Sequence, residues 1–248
     1  MPANSIVVGF RPEYLDFERG IHVGNLEEHE RITRILKLAL ETRYAQPFVT
    51  ERWGRGVYWQ WIGFLARANR QAKPVSSGVS FGCSKFYISI DRDEKIFECG
   101  VQIERGYVKA PRGERAFQLR EDWDWNRLLT ALKKGGALER ELERLLEDGF
   151  RIRAGAWGGD LTLYSRADFP GAPGLRRRLK AAAPNCWTSF QLFFPMSKAE
   201  VEESTGLDLV ESMLAVFDEA LPAMNLAMQI RLESCGPALL TPARPSAS

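Results

Sequence analysis

Histidine is nearly missing from this chain: His22 and His29 are the only two in 248 residues, and both lie in the first thirty. A Ser-His-Asp or Cys-His nucleophile system, a histidine-rich metal site or a histidine acid/base pair would have to be built from those two positions. His29 sits in a charged stretch that reads as a solvent-facing helical segment. Cysteine is sparse too. Cys83, Cys99, Cys186 and Cys235 stand singly, without the CxxC pairs of a zinc site or the density of a disulfide scaffold, so reduced thiols are expected. The chain contains no GxxxxGK[ST] phosphate loop, no GxGxxG, no HExxH and no GxSxG. No catalytic residue, metal site or cofactor is therefore expected.

A large excess of either charge is absent as well. Lys and Arg number 34 against 32 Asp and Glu, a formal balance of +2, which excludes a strongly basic nucleic-acid tail. No run approaches the roughly eighteen apolar residues of a membrane span, and the opening MPANSIVVGFRPEY lacks the basic-then-apolar order of a signal peptide. These features point to a cytoplasmic protein. An apolar share of 45% is ample for a core, so the chain is expected to fold as one domain over residues 1–235, with 236–248 as a frayed tail.

Periodicity sketches the elements. Asn25 is placed to cap a helix over 26–44 whose stripe is Leu26, Ile32, Ile35, Leu36, Ala39 and Leu40. An aromatic segment and a Ser/Gly loop follow. KFYISI and IFECGVQIE alternate around the turn Asp91 to Lys95, predicting an antiparallel hairpin with one buried face and with Glu98, Gln102 and Glu104 on a solvated one. A helix capped by Asp122 or Asp124 is expected to end at Gly135-Gly136, and a second one to close at Gly149. In DWDWN, Trp123 and Trp125 cannot both face inward from one helix, so one is expected to be partly exposed. Two short strands, a basic helix, an apolar strand at 187–194 and a last helical region follow. Ser197 and Glu200 form a capping box there, and Gly206 splits the region. The order lacks regular strand-helix alternation. The expected class is α+β, with a curved, mostly antiparallel sheet packed by several helices.

Chemistry concentrates between Trp53 and Phe64, where Trp53, Trp59 and Trp61 fall within nine residues beside Tyr58. Core packing explains many such clusters. Arg52-Trp53-Gly54-Arg55-Gly56 reads differently, as a loop where a flat ligand stacks on an indole, glycines admit close backbone approach and guanidinium groups meet phosphate. Arg52, Arg55, Arg67 and Arg70 flank the segment; Arg176, Arg177, Arg178 and Lys180 form the tightest basic cluster, with Arg112 and Arg115 as weaker candidates. A solvated helix face is the alternative for the arginine run.

WGRGVYWQWIGFL, a Ser/Gly loop and FYISIDRDEKIFECG resemble the DNA-binding N-terminal domain of McrB-type proteins of modification-dependent restriction. The aromatic-Gly pair is Trp53-Gly54, and Trp61-Ile62-Gly63-Phe64-Leu65 stands at the family's spacing. The likeness spans roughly residues 25–228, with about forty of them specific. It implies a non-enzymatic module that binds modified double-stranded DNA and extrudes a base such as 5-methylcytosine. Trp53 and Trp61 would be the pocket walls, with Gly54 and Tyr58 beside them. Flipping costs a few kcal/mol, and base-aromatic stacking at roughly 1–3 kcal/mol per contact is of the size to offset it. No GTPase motor is recognised in the sequence, so the expected role is a specificity component of a defence system, with cleavage left to a separate nuclease or NTPase subunit. Two rivals stand beside this reading: an enzyme acting on a small planar substrate through Asp91, Glu98 or Glu104, and an interaction protein that presents its DWDW segment.

Overall fold

The computed structural model describes residues 5–72, 83–105, 122–157, 160–183 and 186–243. The expected loops at 73–82 and 110–119, with Arg112 and Arg115, lie outside them. Among the described residues, eleven strands and seven α-helices form an α+β fold.

In order, β1 (Ile6–Val8), β2 (Leu15–Asp16) and β3 (Gly20–His22) precede α1 (Ile32–Tyr44). The hairpin β4 (Phe48–Arg55) and β5 (Tyr58–Ala66) leads through the short α2 (Arg67–Gln71) to a second hairpin, β6 (Ser84–Asp91) and β7 (Ile96–Arg105). Then come α3 (Asp124–Ala131), α4 (Ala137–Glu147), β8 (Arg151–Ala156), β9 (Asp160–Tyr164), α5 (Gly171–Ala181) and β10 (Thr188–Ser197). The chain closes with α6 (Lys198–Glu203), α7 (Gly206–Ala227) and β11 (Leu240–Pro242).

Nine strands make one open sheet in the order β2-β3-β5-β6-β7-β10-β8-β9, with β4 on the other edge of β5. Every pairing in it is antiparallel. β10 arrives late in sequence and inserts between β7 and β8, so the sheet is continuous only once the C-terminal third has folded. Alternation decides the faces. Phe86, Ile88, Ile90, Phe97, Cys99, Val101, Ile103, Phe190 and Leu192 point to one side, where the α1 stripe and Met213, Leu214 and Phe217 of α7 bury them.

Helix ends follow local chemistry. Ser197 with Glu200, and Thr205 with Asp208, form reciprocal capping boxes that start α6 and α7 on either side of the expected break at Gly206. Gly149, at φ +92, ends α4 as anticipated. No helix among the described residues is long and apolar enough to cross a membrane.

Several expectations need correction. Asn25 lies in the left-handed region at φ 55, so it turns the chain after β3 and does not cap α1, which begins at Ile32. Residues 26–31 are instead a turn held by Glu27 and Glu30. Trp123 and Trp125 are both buried, at 1% and 2% exposure. Trp123 is the extended residue ahead of α3 (ψ 151), so the helical wheel that forbids two inward indoles does not apply to it. Neither Asp122 nor Asp124 caps α3. The buried Asp124 carboxylate accepts from Asn69 Nδ2 (2.8 Å), Ser84 N (2.6 Å) and Gln229 N (2.8 Å), pinning three distant segments together. That helix also stops at Ala131, short of Gly135. Finally, Leu240–Pro242 is no frayed tail, since it pairs in parallel with Ile6–Val8.

Candidate functional site

The second face of the sheet carries the unusual chemistry. Glu51, Trp53, Trp61, Lys85, Tyr87, Ser89, Glu98, Gln102, Glu104, Ser189, Gln191 and Arg153 share it by register. The strand residues expected there as a solvated surface are buried: Glu98 is 1%, Gln102 3% and Glu104 5% exposed. Burial of so many polar groups is tolerable only if they satisfy one another, and two networks do this.

In the first, the Lys85 ammonium lies between Glu104 and Glu51 (3.0 Å to Glu51) and 5.3 Å from the Trp61 ring centre. Burial alone would lower its pKa, but Glu104 and then Glu51 outweigh that and hold it above the usual lysine range. Glu104 also accepts from Gln102 Nε2 (3.1 Å) and from the Trp187 indole N–H (2.7 Å). Gln102 Oε1 accepts the Trp61 indole N–H (2.8 Å) and faces Gln191 Nε2 at 3.4 Å. In the second network, Arg153 crosses Phe193 at 5.0 Å to reach Glu98 (2.6 Å) and Asp91 (3.1 Å), while Ser89 donates to Glu98. Burial, then the Glu98 charge, pushes the Tyr87 hydroxyl well above its ordinary pKa, so it stays protonated. Two cations thus serve four carboxylates. A few acceptors and hydroxyls remain without a hydrogen bond among the described residues: Glu51 Oε1, Gln191 Oε1, Ser189 Oγ and Tyr87 OH.

Trp53 and Trp61 are Cα partners across the β4–β5 ladder. A Cβ on Gly63 would fall 2.8 Å from Trp61 Cζ2 and closer still to Cη2, so the outer edge of the benzo ring lies against Gly63. Trp61 is partly buried, whereas Trp53 is 67% exposed. Cross-strand neighbours on one face stand side by side. They make a floor and a flank, where the sequence anticipated two opposed walls.

The Arg52 to Gly56 stretch is the end of β4 plus a tight turn, with Gly56 at φ +61, and not an extended loop. A register shift between Trp53 and Gly54 places Gln60 as an extra residue on β5, and Trp59 packs against the helix-side core. Gly54, at φ +148, is required by close approach, because a Cβ would lie 2.9 Å from Tyr58 O. The Tyr58 ring stacks on His22 (4.9 Å between centres) and has the Arg19 guanidinium 4.1 Å from its centre, so much of its π surface is already used.

The expected phosphate contacts do not converge. Arg52 stacks on Trp59 at 4.3 Å, on the reverse side from Trp53. Arg55 is exposed at the hairpin end. Arg67 and Arg70 sit on α2, about 25 Å away along β5 at 3.3 Å per residue. Arg176, Arg177, Arg178 and Lys180 belong to α5, which packs by Ala172, Leu175 and Leu179 on the helix side of the sheet. Arg178 is spent on Thr162 Oγ1 (2.5 Å).

Sequence reasoning missed Lys85, Gln102, Trp187, Gln191 and Arg153 as members of a site. The available signal was that β6, β7 and β10 each carry polar residues at alternate positions of central strands. Periodicity cannot say whether such a face meets water or protein. No group of three or more His, Cys, Asp or Glu among the described residues is arranged to hold a metal ion. No protein-family model, no curated protein and no solved structure matches the chain.

Proposed function

We propose that this protein binds duplex DNA without cleaving it. It holds an extruded modified base, 5-methylcytosine or a close analogue, on Trp61 with Trp53 at its flank, as the specificity component of a restriction or defence system whose nuclease or NTPase is a separate subunit. The observation that carries the reading is the pairing of a two-thirds exposed Trp53 with a half-buried Trp61 in one register of one face. A large indole left in water is a ready stacking surface for a planar ring. The excess of carboxylate on this face keeps phosphate off it and leaves backbone contact to Arg55 and cations beyond.

Carboxylates that converge in pairs are also what an enzyme would need. Here Asp91 with Glu98 closes on the half-buried Arg153 and Glu51 with Glu104 on the buried Lys85, which favours a rigid binding floor over a proton-transfer pair. The test is a tryptophan fluorescence titration with matched duplexes containing cytosine, 5-methylcytosine or 5-hydroxymethylcytosine. The reading expects quenching that is strongest for one modified duplex and lost in Trp53→Ala. Equal binding to all three would remove it.

A further inference from the structure

Six cations of this nearly neutral protein gather elsewhere. An open cleft of about 880 Å³ lies between the end of α3, the start of α4 and α5, with Arg127, Lys133, Arg176 and Lys180 in its walls and Leu129 and Leu226 below them. A smaller hollow of about 460 Å³ shares Lys133, Arg176 and Lys180 and adds Lys134 and Arg177. Arg176 and Lys180 are one helical turn apart on α5, so they project together. Glu139 fixes the two walls: it accepts Gly135 N–H (2.5 Å) from the turn before α4 and Ala172 N–H (2.7 Å) from the start of α5.

None of these six cations has an ion-pair or hydrogen-bond partner for its side chain among the described residues, and Arg127 Nε and Arg176 Nε are buried without an acceptor. Several arginines elsewhere are matched, as Arg43 with Asp218, Arg144 with Glu219 and Arg153 with Glu98. Like charges at such spacing repel, and buried guanidinium N–H groups without acceptors cost free energy. An anion that enters the cleft relieves the repulsion.

We infer that this cleft is a phosphate-binding site for the sugar-phosphate backbone of a nucleic acid, on the side of the sheet opposite Trp53 and Trp61. A protein partner fits less well, because protein interfaces are poor in lysine and rich in aromatic anchors, whereas this cleft has lysines and only aliphatic side chains at its base. Phosphates repeating along a strand meet cations spread over two walls. Asn126 and Thr130 also line the cleft, but its walls are dominated by cations, so the contact made here is with the backbone. The site does not depend on the base-binding proposal.

The test is fluorescence anisotropy with a labelled, unmodified 20-base-pair duplex between 50 and 200 mM salt. The triple variant Lys133→Gln, Arg176→Gln, Lys180→Gln is compared with Arg34→Gln, Arg166→Gln, Lys198→Gln. The second set removes the same charge from residues already paired with Glu28, Glu147 and Glu202. Both sets lie on the surface, and unchanged thermal melts certify folding. The cleft variant should bind at least tenfold more weakly, with a salt slope smaller by about 2 to 3, while the control stays within twofold of wild type. Equal behaviour of the two variants overturns the assignment. So does displacement of the duplex by polyglutamate at matched charge, which would make the cleft an acidic-protein site. Because the probe carries no modified base, failure here and failure of the base-binding reading are separate results.

Discussion

Trp53 and Trp61 are partners in one ladder, yet they are held in opposite ways: Trp53 stands in solvent, and Trp61 lies over Gly63 with its indole N–H on Gln102 Oε1 at 2.8 Å. One is free to meet a ligand at little structural cost, and the other is part of the sheet's own packing.

Mutations should therefore separate the two. Trp61→Ala removes a half-buried ring and orphans Gln102, and is expected to lower stability by about 2 kcal/mol. Trp53→Ala should stay within about 0.5 kcal/mol of wild type. Urea denaturation checks both; a larger loss at Trp53 would show that its ring is structural.

Gly63 is the counterpart of that indole. Gly63→Ala pushes a methyl group into the Trp61 ring and is expected to destabilise by about 1–3 kcal/mol and to red-shift tryptophan emission as the ring lifts into water. Unchanged emission would mean the ring is not seated there.

The Lys85 network predicts a strong asymmetry. Lys85→Met leaves Glu51 and Glu104 facing each other without a cation and should cost about 3–5 kcal/mol. Adding Glu51→Gln and Glu104→Gln to it should recover most of that loss. A double-mutant cycle on denaturation midpoints reads the coupling; additive effects would contradict the network.

At low pH, Glu30 and Glu200 matter. The Glu27 backbone N–H holds the Glu30 carboxyl below the ordinary carboxylate range, and the Ser197 hydroxyl with its backbone N–H does the same for Glu200. A folded pKa below the unfolded value of 4.5 gives stability that is present above that pH and lost as pH falls through the folded value. The melting temperature should fall from pH 5 to pH 3, and Glu200→Gln should make that fall shallower.

Much of the fold was legible because it is written in local pattern. The alternation in β6 and β7, the stripe of α1, the capping box at Ser197 and the stop at Gly149 each follow from residues near in sequence. What escaped was set by distant partners. Glu98, Gln102 and Glu104 alternate as a wet surface would, and only Lys85 from β6, Gln191 from β10 and Arg153 from β8 turn that face into a buried network. Asp124 has the look of a cap, but its partners Asn69, Ser84 and Gln229 lie 40 residues or more away. The basic run on α5 was visible as charge. Its facing wall of Arg127 and Lys133 needed the fold, which also put the run across the sheet from the tryptophans.

The central proposition, that a base leaves its helix to rest on Trp61 beside Trp53, is tested most directly with 2-aminopurine placed next to the 5-methylcytosine of a duplex. Its emission is quenched by stacking among bases and changes when its neighbour is extruded. Binding of wild-type protein should change the probe's emission at that position alone, with no response from the same probe three base pairs away and none with Trp53→Ala. A probe that stays as quenched in the complex as in free DNA, at concentrations where anisotropy shows the duplex bound, would contradict the account.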